Sequence, residues 1–122
     1  MPLTDSEVKN GLLTLRSAIQ AGQIRLTLEG ELDLSNAETV EAALDVACAE
    51  GAGVLVDLGP LEFIDSTGIS LLVRALGRDE AARISFLPSE SVDVRRLLNL
   101  TGLDQRMPLS APADGQPVLP SA

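Results

Sequence analysis

The sequence predicts a two-layer α/β domain: an N-terminal antiparallel hairpin joined to a mostly parallel sheet of about four strands, with helices mainly on one face. Three observations carry this expectation. Ile24, Leu26, Leu28 and Leu32 share one phase of an alternation whose other phase is Arg25, Thr27, Glu29, Glu31 and Asp33; that is a strand with one dry and one wet face. The apolar patterns then run strand, strand, helix, strand, helix, strand, helix, an order that calls for right-handed crossovers between parallel strands. The wet face adds a constraint, because a sheet covered by helices on both sides would read apolar throughout.

Each element has its own local signal. Leu12 to Ile19 alternates as a first strand, and Ala21-Gly22-Gln23 turns the chain into the Ile24–Asp33 strand, so the two form a hairpin. Ser35 with Glu38 reads as a capping box. Ala37, Val40, Leu44 and Ala47 follow at helical spacing, and Gly51 ends the helix. Val54 to Leu58 is a short apolar strand. Ser66 begins a second helix with the stripe Ile69, Leu72, Val73 and Leu76, and Gly77 lies at or near its end. Arg83 to Leu87 is the next strand. A third helix starts at about Ser91, with Val94, Leu97, Leu98 and Thr101 on one stripe and Gly102 just past its end.

These elements fill one domain at residues 12–107. Residues 1–11 form an N-terminal extension, and 108–122 a Pro-rich tail expected to be flexible, with Pro108, Pro112, Pro117 and Pro120 among small and polar residues. A chain of 122 residues with 45% hydrophobic content can bury a core without disulfides or metal. Phe63 and Phe86 are the only aromatics, so aliphatic side chains must fill that core.

Composition also narrows function. The net charge is −9, with a single lysine, Lys9. Nucleic acid and anionic membrane surfaces both demand clustered cations, so neither is an expected partner. The lone Cys48 lies in an Ala-rich helical stretch and reads as a small buried apolar residue; one cysteine forms no internal disulfide, which fits a reducing cytoplasm. Met1–Glu7 has neither a basic n-region nor an apolar h-region, so no signal peptide is expected. The chain has no histidine. The usual general base and imidazole metal ligand are therefore missing, and no metal or cofactor is expected.

Chemistry concentrates at Asp65-Ser66-Thr67-Gly68, where an apolar strand and a short turn lead into an amphipathic helix. Two hydroxyls there meet the positive end of a helix dipole, and a phosphate on one of them would meet free backbone N–H groups. A serine that receives a phosphoryl group needs no base of its own, because the kinase supplies the catalysis. The plain alternative is a helix cap, with Gly68 permitting close backbone approach. The residues alone leave both open. Asp33 and Asp57 close strands, where carboxylates can bind metal or act as acids; satisfying loop N–H groups is the favoured reading. Glu29, Glu31 and Asp33 read as a solvated strand face that could also serve as a rim for an Arg-rich partner.

Four segments resemble the STAS domain family, specifically the bacterial anti-sigma factor antagonists: Leu28-Glu29-Gly30-Glu31-Leu32-Asp33, Val54-Leu55-Val56-Asp57-Leu58, Phe63-Ile64-Asp65-Ser66-Thr67-Gly68-Ile69 and Leu97-Leu98-Asn99-Leu100-Thr101-Gly102-Leu103. The resemblance implies a non-enzymatic, cytoplasmic partner-switching module. Its unmodified form would bind an anti-sigma factor, itself a serine kinase of the GHKL type, and so release a sigma factor. Phosphorylation of Ser66 would end the complex, and a PP2C-type phosphatase would reset it. Asp33, Ser35, Asp65, Ser66, Thr67 and Gly68 would form the kinase contact. Thr67 stands where many relatives carry a second serine, which makes it a rival acceptor. Gly59-Pro60 is an unusual approach to the signature.

Two other functions compete. One is an unmodified STAS adaptor in a stress-signalling or lipid-transport complex. The other is a small enzyme or nucleotide-binding protein using Asp33, Asp57 and Ser66; the missing histidine and the absence of a Gly-rich phosphate loop count against it.

Overall fold

The structure is a computed structural model that describes residues 5–50, 53–77 and 83–107. Among these, six strands form one mixed sheet, with three α-helices packed on it. The strands are β1 (Ser6–Asn10), β2 (Leu13–Gln20), β3 (Gln23–Leu32), β4 (Val54–Asp57), β5 (Leu61–Ile64) and β6 (Ile84–Leu87). The helices are α1 (Ala37–Ala49), α2 (Ser66–Leu76) and α3 (Val92–Leu100), and a single 3-10 turn follows at Leu103–Gln105.

β1, β2 and β3 pair antiparallel, and β3, β4 and β6 run parallel. β5 continues the line of β4 and pairs with the far end of β3, with Gly30 opposite Leu61 and Glu31 opposite Phe63. The expected hairpin is thus present, with Leu15 facing Leu28 and Ile19 facing Ile24. The dry row Ile24, Leu26, Leu28 and Leu32 is buried, sharing one core with Val40 and Leu44 of α1, Leu71 and Leu72 of α2, and Val94 and Leu98 of α3. Arg25, Thr27 and Glu29, on the other phase of β3, are only partly covered. Cys48 is partly buried and packs against the core.

Several expectations are corrected. β1 lies within the segment read as an extension, and β5 within the approach to the signature. β1 is a polar edge strand, held by its ladder with β2 rather than by burial. Ser35 does not cap α1. The N-cap is Asn36, without a side-chain cap bond, and the Ser35 hydroxyl is turned instead onto Asp33. The buried face of α2 is Gly68, Leu71, Leu72 and Ala75, with Val73 exposed. On α3, Leu97 and Thr101 are exposed, the Thr101 hydroxyl bonding back to the carbonyls of Leu97 and Leu98. Ser91 does cap α3, Gly77 ends α2, and Gly102 follows α3 with a left-handed φ of 75°. Gly51 and residues 108–122 lie outside the described residues.

Candidate functional site

Three segments meet at the carboxyl end of β3: the turn between β1 and β2, the loop from β3 to α1, and the start of α2. A buried asparagine joins the first two. The Asn36 side chain donates to the Glu31 carbonyl at 2.9 Å and to the Asn10 carbonyl at 3.4 Å, while its Oδ1 accepts the Asp33 N–H at 2.9 Å. Nothing in the sequence reading singles out Asn36; an asparagine directly before a helix is ordinarily a cap.

Asp33 folds its own loop. One carboxylate oxygen accepts the Ser35 N–H at 3.0 Å and the Ser35 hydroxyl at 2.6 Å, an Asx turn that leaves both residues facing outward. Ser35 is therefore exposed beside Asp33.

α2 is capped by Asp65, not Ser66. Its Oδ1 accepts the Thr67 N–H at 2.9 Å and the Gly68 N–H at 3.0 Å, and its backbone is extended, as a cap requires. Its other oxygen crosses to the loop and accepts the Leu34 N–H at 3.3 Å. Ser66 is then the first helical residue. Its side chain is exposed and, among the described residues, its hydroxyl makes no hydrogen bond. Gly68 is where the helix meets the sheet: an added Cβ would lie 2.6 Å from Ile64 Cγ1 and 3.0 Å from Leu32 Cγ. The close-approach reading of this glycine holds.

A phosphate on Ser66 would meet fewer free N–H groups than expected. The Thr67 and Gly68 N–H groups already belong to Asp65. A phosphoryl group would sit beside a carboxylate that has taken the helix end.

The structure brings together Asp33, Ser35, Asp65, Ser66, Thr67 and Gly68. It does not bring in Asp57. That residue faces Thr27, six residues before Asp33 on the β3 line, which is about 20 Å at the rise of a strand. Its Oδ2 is 2.5 Å from Arg25 Nη2, and its Oδ1 accepts the Gly59 N–H at 2.8 Å. This is the loop-closing role expected of it. On the same face Arg16 pairs with Glu29, whose hydrogen bond raises the arginine above its ordinary pKa. No group of three or more His, Cys, Asp or Glu among the described residues is placed to hold a metal ion. No described helix is long and apolar enough to cross a membrane.

The family model described as "Mlab, STAS domain" matches residues 15–111. This chain belongs to the STAS domain family. The STAS fold recurs in solved structures. An anti-sigma factor antagonist from Mycobacterium paratuberculosis is 25% identical, with a TM-score of 0.74 over 84% of this chain and 88% of the other. The anti-sigma factor antagonist SpoIIAA in its unphosphorylated form is 24% identical, with a TM-score of 0.65 over 84% and 90%. The Bacillus cell fate determinant SpoIIAA in its phosphorylated form is 23% identical, with a TM-score of 0.59 over 84% and 94%. No curated protein matches the sequence significantly.

Proposed function

We propose that this STAS domain is an anti-sigma factor antagonist whose unphosphorylated form binds a GHKL-type anti-sigma factor kinase in the cytoplasm and frees a sigma factor. The kinase then phosphorylates Ser66 and the complex dissociates; a PP2C-type phosphatase restores the binding form. The chain acts as a binding module and not as an enzyme. The observation that carries this reading is the exposed, unbonded Ser66 hydroxyl at the first position of α2, released for chemistry because Asp65 does the capping. The likeness to an anti-sigma factor antagonist of known structure supports the partner class.

Charge explains the switch. A phosphoryl group adds about −1.5 to −2 charges and three acceptor oxygens. Beside Asp65 it cannot withdraw into the helix end, whose second and third N–H groups are occupied. It must stand outward, where a docking partner would have to desolvate it. A coupling of a few kcal/mol would shift affinity by two or more decades. Asp33, Ser35, Thr67 and Gly68 complete the contact in this reading.

The test is incubation with the cognate kinase and ATP, followed by peptide mass mapping. One phosphate on Ser66 is expected, with Ser66→Ala binding the kinase but never released and Ser66→Asp binding more weakly. Phosphate on Thr67 instead would move the site. No phosphate at all would favour the second reading, an unmodified STAS adaptor, which draws on the matched family model being described by Mlab.

A further inference from the structure

Three large apolar side chains stand in water around the end of the sheet that carries Ser66: Leu34 is 76% exposed, Leu12 67% and Phe63 46%. Hydrogen bonding and strand register hold all three to the site. The Leu12 carbonyl accepts the Glu31 N–H at 3.0 Å, Phe63 is the strand partner of Glu31, and the Leu34 N–H donates to Asp65. Leu12 and Phe63 thus flank Glu31 in one row, and Leu34 adjoins Ser66 across Asp65. A single exposed leucine is ordinary. Three on interlocked segments form a patch of the kind that marks an interaction surface. Segments 10–12, 30–36 and 61–68 also contain Glu31, Asp33, Glu62 and Asp65, with no lysine or arginine.

We infer that this end of the domain docks a protein through Leu12, Leu34 and Phe63, and that the matching surface is an apolar patch edged by Arg or Lys. This rests on the reading of Ser66 as the switch of a partner-binding module, and goes beyond it by naming the contact residues and the partner's chemistry. Charge selects the occupant. Four carboxylates oppose nucleic acid and anionic lipid alike. A second copy of this chain would set acid against acid, in a molecule already at −9. A cation-edged protein surface is attracted. The phosphoryl group enters next to the Asp65–Leu34 bond, beside the exposed leucine, so a partner seated there must desolvate it.

The experiment titrates the full chain with the purified anti-sigma factor kinase encoded in the same genome. Leu12→Ser, Leu34→Ser and Phe63→Ser are each expected to weaken binding at least tenfold. Leu100→Ser, which alters a 73%-exposed leucine on α3, is expected to stay within twofold. Raising salt from about 50 to 500 mM is expected to weaken binding at least threefold, through screening of the charged edge. Melting curves accompany each variant, and Leu34→Gln or Phe63→Gln replaces any that melts early. If all three variants bind like wild type while Ser66→Asp binds weakly, the docking surface is wrong and the switch survives. If the three weaken binding and Ser66→Asp does not, the surface stands and the switch fails. Affinity indifferent to salt overturns the cationic edge, and wild type that binds no kinase overturns both readings.

Discussion

The Asp65 carboxylate joins two segments that lie far apart in the chain: one oxygen caps α2, and the other holds the N–H of Leu34, 3.3 Å away in the loop leaving β3. The position of the acceptor serine and the presentation of the most exposed apolar residue at the site therefore depend on one side chain.

Asp65→Ala should lower stability by about 1 kcal/mol, the ordinary cost of losing an N-cap, and should also speed amide exchange at Leu34. Asp65→Asn keeps an acceptor oxygen and should lose less. Ser66→Ala removes a hydroxyl with no described partner and should stay within about 0.5 kcal/mol of wild type. Urea denaturation and amide exchange of the three variants check this ranking. Equal losses for Ser66→Ala and Asp65→Ala would mean that the serine, not the aspartate, holds the helix end.

Asn36→Ala should be more damaging. The asparagine is fully buried and serves two carbonyls and one N–H. Its removal leaves those partly covered groups without their partner, at about 1–3 kcal/mol for each one left unpaired. A fall in the urea midpoint equivalent to about 2–4 kcal/mol is expected. Loss of kinase binding should accompany it, because the loop carrying Asp33 and Ser35 loses its anchor. A variant as stable as wild type would mean that water replaces the side chain.

How far the sequence discloses this site depends on which force shapes each part. β3 is legible because one buried face imposes a period of two, and the Asp-Ser-Thr-Gly helix start because capping chemistry is local. The face of α2 is less so. Residues 69–76 are apolar nearly all round, so spacing leaves the phase undetermined, and the buried side proves to be the one with small residues, Gly68 and Ala75, where backbone must approach. β5 is hidden by a slip in register that leaves Glu62 without a partner between Leu61 and Phe63. β1 is hidden because an exposed edge strand carries no hydrophobic pattern. The roles of Asn36 and of the Asp65–Leu34 bond come from tertiary contacts across 26 and 31 residues, beyond any local signal.

Gly68→Ala sets two effects against each other. Alanine favours a helix by about 1 kcal/mol over glycine. The new methyl, however, would meet Ile64 at 2.6 Å and Leu32 at 3.0 Å, both buried. Overpacking of a dense core costs about 1–3 kcal/mol, so after the helix gain a net loss of up to about 2 kcal/mol is expected in thermal or urea unfolding. Displacement of the helix start should also slow phosphorylation of Ser66. A neutral or stabilising result would show that α2 can move away from the sheet freely.

The Arg25–Asp57 pair offers a test on the polar face, away from the switch. Both side chains are largely sheltered, the Asp57 oxygens being divided between Arg25 and the Gly59 N–H. Removing one member of a sheltered pair leaves the other charge poorly solvated, so Arg25→Ala should cost about 2–3 kcal/mol. Asp57→Asn keeps an acceptor for Gly59 and should cost less. In the double variant no charge is stranded, and the losses should fall short of their sum by about 1 kcal/mol or more. Kinase binding should be unchanged in all three, because the pair sits about 20 Å along the strand from the Ser66 end. Strict additivity in urea unfolding would mean that solvent screens the pair fully. A change in binding would mean that docking extends along the sheet to the Arg25 end.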